Sequence, residues 1–505
     1  MGSAENHHIA PGSRFDPSAG GRETLPGSWG AHWKATPERP ALRFADGTAL
    51  SYGELEDASR RAAGRLHFSG LRAGDRVFFS TASSAHGVVA HVACLRLGLV
   101  VVPANTAYRQ AEVAHVIGDA RPSAAIVDEP QRGEWIRAAA DIPILSPDLP
   151  LDEARAPALD QSAAAAPALI GYTSGTTGRP KGAVLSHGNL LSSVEALRLA
   201  WRWSPDDRLV LALPLFHMHG LGVGLHGTLH AGASATILPR FDPDEVLDAV
   251  AKDDATLFFG VPTLYHRLAD SDRVNRLAQL RLCVSGSAPL PAELHARFET
   301  LTGQRIVERY GMTETVMLVS NPVESERRPG TVGLPLPGVE MRLVGEPPEI
   351  EVRGPNVFAG YWERPDANAE AFREDGFFRT GDLGHLDEAG YLCIAGRARE
   401  LLISGGYNVY PREVEEALGE HPEIAECAVV GTPSEEWGDA VTAYLVPRSG
   451  AQPTVSEVRD FLGERLAPYK HPRTVYCVDA LPRNALGKVQ KHRLGNGRIL
   501  DEEPG

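Results

Sequence analysis

The chain has 505 residues and a net charge of −15, from 50 basic and 65 acidic side chains. That length exceeds one hydrophobic core, so two or more domains are expected, and the acidic balance argues against nucleic acid as a partner. No apolar run approaches the ~20 residues of a membrane span and no charged, apolar, small-residue series opens the chain, so a cytoplasmic protein is expected. Five scattered cysteines (Cys94, Cys283, Cys393, Cys427 and Cys477) form neither a CxxC pair nor a zinc pattern, and read as reduced thiols.

Residues 1–24, rich in Gly, Ser, His and Pro and without periodicity, are expected to form a disordered leader. From Leu50 onward helical patterns alternate with short apolar runs: RVFFS at 76–80, LVVVP at 99–103, AAIVD at 124–128, RLVLALP at 208–214, ATILP at 235–239 and TLFFGVP at 256–262. This rhythm predicts α/β layers on parallel sheets. The Ala/Pro-rich stretch Leu151 to Pro167 reads as a surface connector. After Arg397 the pattern becomes α+β: a helix through REVEEAL, strands at ECAVVG and VTAYLVP, and a helix near VSEVRDFLGERL. The expected architecture is therefore a large N-terminal α/β domain over 25–396, followed by a small α+β domain over 397–505.

Residues 172–182 read YTSGTTGRPKG. Gly175, Gly178 and Gly182 let amides point inward, Thr173, Ser174, Thr176 and Thr177 add hydroxyls, and Lys181 adds a mobile charge, so the segment can cradle a polyphosphate. It is not a Walker A loop, because Pro180 precedes the lysine and Gly182 follows it; Gly487-Lys488 fails as well, since Val489 follows.

The same order of strings continues with LPLFHMHGLG at 213–222, GVPTLYHR at 260–267, SGSAPL at 285–290, ERYGMTET at 308–315, FFRTGD at 377–382, GRARELLISGGYNVYPREVE at 396–415 and PRNALGK at 482–488. From about residue 25 to about 493 the chain thereby resembles the acyl-adenylate-forming superfamily of acyl-CoA synthetases, adenylation domains and luciferases. Within it, GVPT-x-Y-x-R paired with ERYGMTET-x-M is most similar to malonyl-CoA synthetases. The resemblance implies an ATP-dependent acid:CoA ligase working through an acyl-adenylate, with ATP, Mg²⁺ and coenzyme A, small-molecule partners only, and a mobile C-terminal domain. A short-chain or aryl monocarboxylate ligase is the alternative substrate reading; a catalytically inactive nucleotide-binding protein is the alternative of another class.

It also assigns residues. Lys488 meets the α-phosphate and the attacking carboxylate, whose like charges converge only with a cation between them. Thr313 bonds the α-phosphate, Glu314 takes Mg²⁺ as a hard oxygen ligand, and Tyr310 stacks on adenine with Ser287 and Ala288 opposite. Glu308, Arg309 and Gly311 belong with the nucleotide, Asp382 with the ribose hydroxyls and Arg397 with ribose or phosphate. His217 is either a histidine satisfied by backbone or a gate to the acyl pocket. The absence of an aspartate after Phe216 argues against an amino-acid substrate. Gly405, Gly406, Trp437, Lys470 and Arg473 are candidate CoA contacts and Arg399 occupies the hinge position. Arg267, four residues past Thr263 on one helical face, is expected with Ser285 to take the free carboxylate of a dicarboxylic acid; the competing readings are a surface arginine paired with Asp270, or Arg240 in its place.

Overall fold

The computed structural model describes residues 7–18, 24–149, 157–173, 180–434, 436–448, 451–463, 465–484, 487–495 and 498–499. Among these residues the large N-terminal part is built on sheets of nine and seven strands, joined by a four-stranded sheet; a five-stranded sheet forms the C-terminal part. The six apolar runs become the strands Arg76–Ser80, Val100–Pro103, Ala124–Val127, Arg208–Leu211, Ser234–Ile237 and Leu257–Gly260. All six pair in parallel. Their near-continuous burial follows from helices covering both faces, which leaves no solvent side for polar residues. No helix is long and apolar enough to cross a membrane among the described residues.

The described part of the leader differs from the expected disorder. His8 is buried, with Nε2 3.1 Å from the Leu334 carbonyl, and Arg202 donates to the His8 carbonyl at 2.6 Å. Phe15 lies where a Cβ on Gly338 would come within 2.4 Å of its ring. Two side chains with matching receptor sites hold residues 7–18 on the sheet that lacking periodicity could not foretell.

Three local features position the site. The strands Pro167–Thr173 and Lys181–Ser186 are antiparallel, with Thr173 opposite Lys181, so the ends of the 172–182 segment stand side by side. Gly360–Tyr361 adds to the same edge, opposite Val184 and Ala183. LPLFHMHGLG runs into a π-helical segment, His219–Leu225, a geometry frequent at functional sites; Gly220 is required there, since a Cβ would lie 2.2 Å from the Pro214 carbonyl. The turn Ala398–Glu400 then separates the four-stranded sheet, ending at Arg397, from the C-terminal sheet, which begins at Leu402. In that unit the expected helices and strands are Pro411–Gly419, Ile424–Ser434, Gly438–Pro447 and Val455–Leu462.

Candidate active site

Asp382 and Arg397 occupy opposed positions in the antiparallel ladder of Phe378–Leu386 with Leu392–Arg397, and Arg397 Nε lies 2.7 Å from Asp382 Oδ1. The other carboxylate oxygen accepts from the Tyr310 hydroxyl at the end of the strand Val307–Tyr310. Burial, and after it the Asp382 charge, raises the Tyr310 pKa well above the phenol range, so it stays the donor. Glu314 is buried a turn further on, where Tyr361 donates to its Oε1 at 2.9 Å. Burial raises its pKa as well. Lys181 Nζ stands 5.4 Å over the Tyr361 ring, which links the hairpin of Pro167–Thr173 and Lys181–Ser186 to the ERYGMTET loop. Thr313 packs on the same hairpin: a Cβ on Gly171 would meet its methyl at 2.6 Å. Tyr361 was missed in the sequence; GYW in a loop carries no chemical signal until the strand Gly360–Tyr361 is seen to pair.

Ser174, Gly175, Thr176, Thr177 and Gly178 lie outside the described residues; Thr173 and Lys181 bracket them.

Behind Tyr310 lies a second group. Arg309 is buried, and neither its Nε nor its Nη2 has a hydrogen-bond partner. Burial pulls its pKa down to about 9. It rests on Gly286, where a Cβ would fall 2.4 Å from the guanidinium carbon, which explains the glycine of SGSAPL. Ser285 Oγ and His219 Nε2 are likewise buried without a partner. Ser287 adopts φ +68, a strained conformation for serine, with Oγ 3.4 Å from His219 Nδ1. His217 Nδ1 accepts from the His219 amide at 3.2 Å; burial and then Arg309 bring its pKa down to about 4. Both imidazoles are neutral, leaving Arg309 as the positive charge of this group. Glu308 turns the other way, accepting from the Leu290 amide at 3.2 Å.

A cavity of about 670 Å³ has walls that include Phe216, Arg240, Phe241, Thr263, Arg267 and Gly487; Arg309, Ser285, His217 and His219 are not among its lining residues. Pro262 starts the helix Pro262–Ala269, which puts Thr263 and Arg267 on one face. Arg267 is exposed, with its guanidinium carbon 4.9 Å above the Phe241 ring. Asp270 pairs with His266 at 3.3 Å and Arg297 at 2.9 Å, not with Arg267.

Lys488 sits on a tight loop in which Asn484 donates to the Lys488 carbonyl at 2.9 Å and its side chain accepts from the Lys488 amide at 3.0 Å. The protein crowding the cleft, and next the Arg397 charge, lower the Lys488 pKa, although the residue is solvent-exposed. The five candidate CoA residues gather elsewhere. Gly405 and Gly406, both at positive φ, form the two-residue turn between Leu402–Ser404 and Tyr407–Val409. Gly405 donates to the Trp437 carbonyl at 2.8 Å, and Arg473 lies 3.9 Å over the Trp437 ring. Lys470 pairs with Glu413, beside the stacked Tyr407 and Tyr469. None of the five lines the cavity. Arg399, on the separating turn, is exposed and its charge acts on Tyr361.

A hairpin bounded by Thr173 and Lys181 and linked to a tyrosine–carboxylate–arginine cluster, with Lys488 on a loop of the C-terminal part, fits a nucleotide-dependent enzyme of the adenylate-forming class. Residues 30–362 match the family described as AMP-binding enzyme and residues 413–488 its C-terminal domain. The chain belongs to that family. It is 37% identical over 492 residues to a feruloyl-CoA synthase of Amycolatopsis sp, covering 92% of this chain and 97% of the relative. Among solved structures it is similar to ATP-bound MatB from Rhodopseudomonas palustris, with 42% identity, a TM-score of 0.88, and 93% and 98% of the two chains covered. It is also similar to a malonyl-CoA ligase ternary product complex with methylmalonyl-CoA and AMP, with 40% identity, a TM-score of 0.65, and 94% and 99% covered.

Proposed function

We propose that this chain, an ATP-dependent, AMP-forming acid–CoA ligase, acts on malonate or methylmalonate. One carboxylate of the acid attacks the α-phosphate of ATP and displaces pyrophosphate; the CoA thiol then attacks the acyl-adenylate, giving acyl-CoA and AMP. The observation that carries the dicarboxylate reading is Arg309. A buried guanidinium with unpaired nitrogens is costly until an anion meets it, and a carboxylate meets it through two parallel bonds. A diacid keeps one carboxylate ionised while the other is activated, and so supplies that anion. In this reading Arg309 takes the role that the sequence suggested for Arg267, while Arg267 and Arg240 line the cavity and add positive charge along it.

In this reading Lys488 neutralises the converging carboxylate and α-phosphate. Thr313 and Lys181 bind phosphate oxygens, and Asp382 and Arg397 receive the ribose. Glu314 fits Mg²⁺: it is a buried hard-oxygen donor whose raised pKa marks a carboxylate wanting positive charge. When bound with ATP, the ion screens the phosphate charge. For the second step Gly405, Gly406, Trp437, Lys470 and Arg473 must approach the cavity, which a rotation at Arg399 would achieve. The agreement with the ATP-bound relative (TM-score 0.88) over the product complex (0.65), at nearly equal identity, supports reading the present arrangement as the adenylating one.

The test is pyrophosphate release with a panel of acids. Malonate or methylmalonate should exceed propionate, butyrate and ferulate; preference for a monocarboxylate would remove the diacid assignment and leave the ligase.

A further inference from the structure

Three residues beyond Lys488, Lys491 is held between two carboxylates from different segments. Its Nζ lies 2.8 Å from Glu415 on the helix Pro411–Gly419, and 3.4 Å from Glu400 on the turn Ala398–Glu400. Glu415 is itself anchored by the Val429 amide at 2.7 Å. Glu400 also bears on Lys488: the charges that act on that lysine include Arg397, Glu400, Asp382 and Lys491. A carboxylate so placed is a competitor, because an ammonium drawn to Glu400 is withdrawn from the substrate anions.

Among the described residues, the loop that carries Lys488 is held by contacts other than those of Lys491. Asn484 closes it on both sides of Lys488, Arg483 donates to the Gly487 carbonyl at 2.5 Å, and Arg483 pairs with Glu426 at 2.9 Å. Lys491 therefore has a partner set that the loop fold does not explain. Resting on the reading that Lys488 drives adenylation, we propose that Lys491 is a positioning residue that occupies Glu400 and keeps the Lys488 ammonium free for the substrate carboxylate and the α-phosphate.

A double-variant cycle tests this, with acid-dependent ATP–pyrophosphate exchange reporting adenylation and conversion of supplied acyl-adenylate with CoA reporting the second step. Lys491→Met should lower exchange roughly tenfold or more while leaving the second step within about twofold, and Lys491→Arg should retain exchange. Because Glu400 is the competitor, Lys491→Met with Glu400→Gln should return exchange to within roughly threefold of the parent. The alkaline limb of exchange, where Lys488 loses its proton, should move down in pH for Glu400→Gln, which removes an anion, and up for Lys491→Met, which removes a cation. Additive losses in the double variant, equal loss of both steps, or limbs moving in one direction would overturn the positioning role. Should Lys491→Met not fold, the downward limb in Glu400→Gln still decides whether Glu400 acts on Lys488. Native-like exchange in Lys488→Ala is a separate outcome, which overturns the adenylation reading and the Lys491 role with it.

Discussion

Gly487 and Thr263 touch across the two parts of the chain: a Cβ on Gly487 would lie 2.7 Å from the Thr263 hydroxyl. Gly487 also holds φ +76. The residue next to Lys488 is thus seated against the first turn of the helix that bears Arg267, on the wall of the cavity. This contact depends on where the C-terminal unit stands, so it reports the present arrangement.

Gly487→Ala should therefore impair adenylation by about tenfold or more, combining the left-handed backbone cost of ~1 kcal/mol with the steric conflict. Thr263→Ala removes the conflicting hydroxyl and methyl, so the double variant should recover all but the few-fold cost of the backbone. Pyrophosphate exchange measures both. A double variant no better than Gly487→Ala would mean that the contact does not limit the approach.

Lys488→Ala separates the two half-reactions. Exchange should fall by several orders of magnitude, because Lys181 is assigned to the phosphate oxygens and Lys488 to the converging carboxylate and α-phosphate. Supplied acyl-adenylate should still react with CoA. Equal loss of both steps would assign the lysine to structure.

The parallel strands were legible because each is a short apolar run buried on both faces, and the division near residue 397 because the periodicity changes there. Lys488, Asp382 and Glu314 were named through motif order alone, and the structure adds that Asp382 and Glu314 are buried carboxylates taking hydrogen bonds from Tyr310 and Tyr361. Arg309 was legible only as part of a motif, and its isolation required the Ser285–Glu308 register and the approach to Gly286. Arg267 shows the converse: its helical face was read correctly, but exposure is a property of the packing of Phe241, which sequence spacing does not contain.

Arg309 and Arg267 should consequently differ in kind. Arg309→Met removes a buried charge while keeping volume, so kcat/KM for malonate should fall by roughly 10²-fold or more, with monocarboxylate turnover spared and Tm unchanged or higher. Arg267→Leu, at an exposed position, should cost under about tenfold. The kcat/KM ratio of malonate to propionate in both variants decides the matter, and a larger collapse with Arg267→Leu would return the role to that residue.

Glu308 sets a pH dependence of stability that is separate from turnover. Its side chain is 3% exposed, Oε2 has no hydrogen-bond partner, and burial pushes the pKa up to about 7 from 4.5, against the opposing pull of the Leu290 amide and of Arg412 on the C-terminal helix. Between those two pH values the folded state holds a proton that the unfolded chain has released, so stability falls as pH rises through the window. The favourable contribution is complete below about 4.5 and gone above about 7. Its full size is about 3 kcal/mol. Glu308→Gln keeps the amide contact and carries no charge at any pH. Relative to the parent, its Tm should be similar near pH 4.5 and rise steadily to a clear advantage at pH 8, as followed by thermal melts across that range. A Tm difference independent of pH would mean that Glu308 is ionised in the folded protein at neutrality, with Arg412 near enough to hold the charge.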